Sequence, residues 1–174
     1  VFGGVTEAYI AKFNANGTRQ WGSYYGGSQS EKGWSVTTDK NGDVYLSGNT
    51  YSSNGIAYLG HQNMLVVSPQ SASDAFLVKF NSNGVRLWGT YYGGEGIEAA
   101  YKCRTDNAGN VYIAGATLSF LGIASIGHQN TIGGNDWDAY LAKFTSNGTR
   151  LSSTYYGGPG DDWGYSLSID LSGN

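Results

Sequence analysis

Apolar and polar residues alternate along this chain in short runs, and each run is closed by a turn signal. WSVTTD (34–39), VYLSGNT (44–50), AFLVKFN (75–81) and VRLWGTYYGG (85–94) follow one another in this way. A period of two sends successive side chains to opposite faces of a strand. Asn41-Gly42 and Asn83-Gly84 stand between the runs. Asn-Gly turns need positive φ and join antiparallel strands tightly. The pattern predicts four antiparallel strands per unit.

The unit recurs. YYGG occurs at Tyr24, Tyr91 and Tyr155, at offsets of 67 and 64 residues. EAYIAKFN (7–14) returns at the same offsets as DAFLVKFN (74–81) and DAYLAKFT (138–145). NGDVYLSGNT (41–50) returns as AGNVYIAGAT (108–117), and the connector NGIAYLGHQN (54–63) as LGIASIGHQN (121–130). VFGG (1–4) matches TIGG (131–134). Fixed-period self-similarity marks a repeat architecture. Approximate copies run over 1–66, 67–130 and 131–174, the last incomplete. Eleven strand-like runs are visible, the last within GYSLSIDLSGN (164–174). Four-stranded antiparallel units repeated around an axis make a β-propeller. The expectation is an all-β, single-segment fold of about three blades. Rings of fewer than about four blades rarely close, so the segment is expected to belong to a larger ring or to complete itself with other copies.

DAFLVKFNSNGVRLWGTYYGG (74–94) and TDNAGNVYIAGAT (105–117) resemble the bacterial SBBP-type β-propeller repeat. The resemblance covers nearly the whole chain. The third copy departs from it at Ser152, where Trp21 and Trp88 stand in the others. The resemblance implies a secreted or cell-surface setting, with adhesion or surface display as fitting roles. It also implies that the run through Trp34, Tyr101 or Tyr165 is innermost in each blade and the YYGG run outermost.

In an up-and-down sheet successive turns alternate between its two ends. The short Asn-Gly turns therefore share one face. The GHQN connectors and the loops after YYGG share the other, where variable chemistry is expected. The tyrosines of YYGG are expected to cover a neighbouring blade while their hydroxyls stay wet, and the glycines to permit a sharp turn. A sugar-stacking tyrosine pair is the alternative.

Composition narrows the function classes. Glycine is abundant, with 28 residues, and charged residues make up 13%, about half the usual share. A net charge of −3 argues against nucleic-acid binding, which wants a basic patch. No run reaches the ~18 apolar residues of a membrane span. Without a signal peptide or initiator Met, the sequence reads as a processed or excised piece. Cys103 is the single cysteine, which rules out an internal disulfide or a thiolate zinc cluster. Val36 and Leu167 hold its place in the other copies, so a buried apolar role is expected.

Candidate site residues fall into three groups. Glu31, Glu98 and Asp162 share one repeat position after YYGG, and Asp161 adds a neighbour. They read as turn-capping acids, or as a carboxylate ring for cations or polar ligands. Glycoside cleavage would need two carboxylates facing each other across a cleft. His61 and His128 sit in the GHQN connectors, on separate blades and without the local spacing of a zinc site. They are expected to hydrogen-bond within their own loops, with ligand binding as the alternative. Among five tryptophans, Trp21 and Trp88 share a strand position and read as inter-blade packing, whereas Trp137 and Trp163 lie in loops and read as ligand platforms. DKNGD (39–43) lacks the glycine and glutamate that a calcium loop requires. The Asn16 and Asn147 NGT triplets match the glycosylation pattern but are also hairpin turns. No cofactor or metal is expected. The reading is a non-catalytic module for scaffolding, adhesion or ligand binding. Its partner would be a glycan, a surface protein, further blades of its parent or another copy. The rival is a polysaccharide-acting enzyme, or a carbohydrate-binding accessory, using the long-loop face.

Overall fold

The computed structural model describes residues 3–66, 73–170 and 172–173. The copy boundary at 66/67 and the Val1-Phe2 half of the VFGG match border on or lie outside the described residues.

Among the described residues there are ten strands and no helix. β1 (Ala8–Phe13) pairs with β2 (Arg19–Tyr25) in a two-stranded sheet. β3 (Glu31–Thr38), β4 (Val44–Thr50), β5 (Asp74–Phe80) and β6 (Arg86–Tyr92) form a four-stranded sheet in chain order. β7 (Glu98–Thr105), β8 (Val111–Thr117), β9 (Asp138–Phe144) and β10 (Arg150–Tyr156) form a second. All pairings are antiparallel. No closed ring is detected among these residues. The hairpin glycines take the left-handed conformation the sequence demanded, from φ 77° at Gly17 to 85° at Gly109.

The strand period decides which face meets which sheet. Along β5, Ala75 and Leu77 enter one core cluster with Tyr92 of β6 and with Ile113, Tyr140 and Phe144 of the following sheet. Phe76, Val78 and Phe80 enter another with Ala8, Ile10 and Tyr25 of the preceding sheet. Every residue of β5 is buried, each large apolar one contributing on the order of 1.5–3 kcal/mol. The outer sheets bury one face only. Tyr9 and Phe13 are exposed where their equivalents Phe76 and Phe80 are buried, and Leu141 is exposed where Leu77 is buried.

Two expectations are corrected. The described part of the eleventh run, 164–170 and 172–173, forms no strand. Its equivalents β3 and β7 each lie on β4 or β8, and the sequence holds no third counterpart of those two strands. Four of the six YYGG tyrosines, Tyr25, Tyr91, Tyr92 and Tyr155, are also not wet, whereas Tyr24 and Tyr156 stay exposed on the outer sheets. Tyr91 and Tyr155 donate to the Ser52 and Ser119 carbonyls of their own sheet's connector. Tyr25 and Tyr92 donate to Ile56 and Ile123 of the next sheet's connector. Burial pushes the Tyr92 hydroxyl up to about 12. Tyr91 and Tyr92 thus enter the two opposite core clusters, each tied by one hydrogen bond to a connector.

Candidate functional site

The expected division of the two ends holds. The bend after YYGG and the start of the GHQN connector lie together, for Ser28 N–H donates to Asn54 Oδ1 and Gln29 N–H to Ser52 Oγ. The connectors then leave that end. Tyr58 bridges Gly89 and Gln62 bridges Tyr91, as Ser125 and Gln129 bridge Ser153 and Tyr155. Between these bridges each connector runs back along the outer strand of its own sheet towards the YYGG end and shields that edge. The GHQN residues thus return to the bend, where Gln62 and Gln129 accept the N–H of Gly93 and Gly157.

The three repeat acids are caps. Glu31, Glu98 and Asp162 accept the N–H of Gly27, Gly94 and Gly158 at 3.0, 3.0 and 2.8 Å. The other oxygen of Glu31 takes the Thr50 hydroxyl, and that of Glu98 takes Thr117 and Ser119. His61 lies edge-on to Phe144 of the next sheet, ring centroids 6.2 Å apart. Partial burial, then the nearby Arg150, lower its pKa. His128 is exposed, in a shallow cleft beside Tyr112 and Lys143. The connector residue that does most is one the sequence reading passed over, Gln62. Its amide donates to Asp74 Oδ2 and the Met64 carbonyl and accepts from Gly93 N–H. Gln129 repeats this pattern on Asp138, Thr131 and Gly157. The signal was present, since Gln follows His in both GHQN copies. Among the described residues no group of three or more His, Cys, Asp or Glu comes together to hold a metal.

Trp137 and Trp163 are brought together. Their rings stack with centroids 4.8 Å apart and planes 28° apart. The local backbone sets this up. Asp162 N–H donates to the Trp137 carbonyl, Trp137 N–H donates to Asp161 Oδ1, and Gly164 N–H reaches the Gly115 carbonyl on β8. The stack continues. Trp163 lies parallel to Tyr165 within 6°, at 5.9 Å, and both contact Tyr101, at 6.1 and 5.1 Å. Tyr101 in turn meets Trp34 edge-on at 5.7 Å.

Trp34 and Tyr101 occupy one repeat position, and each is the extra residue of a β-bulge. The ladder skips from Gly33 to Ser35 in β3 and from Ala100 to Lys102 in β7. A bulge re-aims its side chain out of the normal alternation, so both rings leave the sheet faces and line up across neighbouring sheets. Trp34 and Tyr165 are 49% and 64% exposed, so the row is open to ligand. The Trp34 indole N–H is fixed on Asn49 Oδ1 at 2.9 Å. Lys32 and Lys102 flank the row in sequence on the same strands.

Comparison with family models and with curated proteins finds no match for this chain.

Proposed function

We propose that this chain is part of a β-propeller of SBBP-type repeats and that its aromatic row binds a glycan without cleaving it. The observation that carries the reading is the row itself: Trp34, Tyr101, Tyr165, Trp163 and Trp137 in unbroken ring contact, with exposed rings at Trp34 and Tyr165. Aromatic faces with nearby polar groups suit the apolar faces and hydroxyl rims of sugar rings. The engagement of Glu31, Glu98 and Asp162 as caps supports binding over hydrolysis, which needs carboxylates free to face each other.

The blade reading is supported by the repeated junction. The same side-chain positions pack the first sheet on the second and the second on the third. The exposed Tyr9, Phe13 and Tyr24 on one outer sheet, and Leu141 and Tyr156 on the other, support further blades on both sides. A secreted or cell-surface setting and a role in adhesion complete the proposal, and they rest on the repeat's resemblance.

A glycan array probed with this chain tests the reading. It expects binding to a defined glycan class that falls at least tenfold in Trp137→Ala and Trp163→Ala. Binding that survives both substitutions removes the row as the site, and an array without any binder removes the glycan.

A further inference from the structure

A second repeated constellation lies under the YYGG bends. Each bend is flanked by two acids. One stands at or just before the start of the strand that precedes the YYGG strand (Glu7, Asp74, Asp138), and the other is the cap at Glu31, Glu98 or Asp162. In the second and third copies the two carboxylates converge on the first glycine of the bend. A Cβ on Gly157 would lie 2.7 Å from Asp138 Oδ1 and 2.8 Å from Asp162 Oδ2. On Gly93 it would lie 2.7 Å from Asp74 Oδ1 and collide with Glu98 Oε2. Two carboxylate oxygens therefore crowd the same point, and only glycine leaves room for them.

Asp74, Glu98 and Asp138 are fully buried. Asp74 Oδ2 is satisfied by Gln62 and Val66, and Asp138 Oδ2 by Gly133 and Gln129. Asp74 Oδ1 and Asp138 Oδ1, the oxygens beside the bend glycine, have no hydrogen-bond partner. A buried carboxylate oxygen without a donor is costly, and two neighbouring carboxylates in a low-dielectric site cannot both stay ionised. The charged or titratable groups acting on the Asp74–Glu98 pair are Glu95 from the bend and Tyr91, Tyr92, Tyr140 and Tyr155 from β6, β9 and β10. None of these is a cation. Tyr155 and Asp162 are the titratable groups beside Asp138. In the first copy the longer Glu7 brings its Cγ, not an oxygen, to Gly26, and its carboxylate caps Gly3 and Gly4 instead.

We propose that Asp74 and Asp138 each carry a proton in the folded state, on the carboxyl that shares its bend glycine with Glu98 or Asp162, and that this proton locks the bend between successive sheets. Protonation removes one of two neighbouring like charges and the charge of a buried oxygen that has no donor. Its loss leaves two like charges pressed on one glycine. Burial, then the charge of Glu98, raises Asp74 to about 8, and burial raises Asp138 as well.

The sign follows from linkage. A carboxyl whose folded pKa is raised contributes stability that is complete below its unfolded value, near 4. That stability is lost as pH rises through the folded value, about 8 for Asp74. Across this window one proton difference changes the unfolding constant up to ~tenfold per pH unit.

The test is denaturant unfolding of the whole chain from pH 5 to 9, for wild type, Asp74→Asn and Asp138→Asn, with carboxyl 13C NMR titration of wild type. The proposal expects wild type to lose stability as pH rises, and each Asn variant to lose much of that slope. An asparagine keeps the acceptor for Gln62 and carries no titrating proton. It also expects the Asp74 carboxyl carbon to titrate above pH 7. Titration near 4, or an unchanged slope in both variants, overturns it. So does full recovery of wild-type stability at pH 8.5 on adding Ca2+, which would make the pair a metal site. Should Asp74→Asn fail to fold, the wild-type NMR titration alone decides.

Discussion

The indole N–H of Trp88 donates to the Ser146 carbonyl at 2.9 Å, across the junction between the second and third sheets. Trp21 makes the same bond to Ser82 across the preceding junction, at 3.0 Å. Each bond joins an outer strand of one sheet to the Asn-Gly turn of the next, so the packing expected of these two tryptophans is also directional. Lys79 shares the Ser146 carbonyl at 3.5 Å. Trp88→Phe keeps most of the ring and leaves that partner, so its cost should be about 1–2 kcal/mol. Trp88→Ala should cost about 3–5 kcal/mol by cavity formation. Chemical denaturation measures both, and equal costs would mean that the hydrogen bond, not the ring, dominates.

Gln62, not His61, should be the stability-determining side chain of its connector. Gln62→Ala removes two donated bonds and one accepted bond at a partly buried site, at a cost of about 1–3 kcal/mol. His61→Ala removes one edge-on ring contact with Phe144, worth about 0.5–1.5 kcal/mol. Thermal unfolding of the two variants checks the order.

Ile126 sits at φ 57° and its repeat equivalent Leu59 at 52°, both highly exposed. A left-handed conformation costs a non-glycine residue about 1–2 kcal/mol. Ile126→Gly should therefore raise stability by about 0.5–1 kcal/mol, after the entropic penalty of glycine itself. A loss of stability would show that the exposed isoleucine makes a contact worth more than its strain.

Cys103 is fully buried in the cluster between the second and third sheets, with Sγ 3.5 Å from the Ser35 carbonyl. Burial raises its thiol. A thiol reagent should label it only as fast as the protein opens, and denaturant should accelerate labelling in step with unfolding. Rapid labelling of the native chain would contradict the packed interface.

The strands were legible because alternation and Asn-Gly turns are local. The β4 bounds coincide with the run read from Val44, and the glycines of the turns take the expected positive φ. The capping role of Glu98 was legible too, since an acid a few residues beyond a Gly-Gly bend can reach back to its amides. The aromatic row was not. Trp34 and Tyr101 are 67 residues apart, and a bulge leaves no mark in composition that shows where its side chain is re-aimed. The connectors' course along the edges of β6 and β10 was hidden for a similar reason. Bridges such as Tyr58 to Gly89 join backbone to backbone and place no demand on residue type. The tyrosine hydroxyls misled because an amphipathic ring at a strand end looks the same whether its O–H meets water or a carbonyl.

The account rests most on the aromatic row as a sugar-binding strip. Titration calorimetry with cello-, xylo- and chito-hexaose, for wild type, Trp163→Ala and Trp21→Ala, tests it directly. The row predicts binding of at least one oligosaccharide, weakened about tenfold or more by Trp163→Ala, as for a buried aromatic anchor, and left intact by Trp21→Ala. Binding that survives Trp163→Ala, or that is lost only with Trp21→Ala, would contradict it.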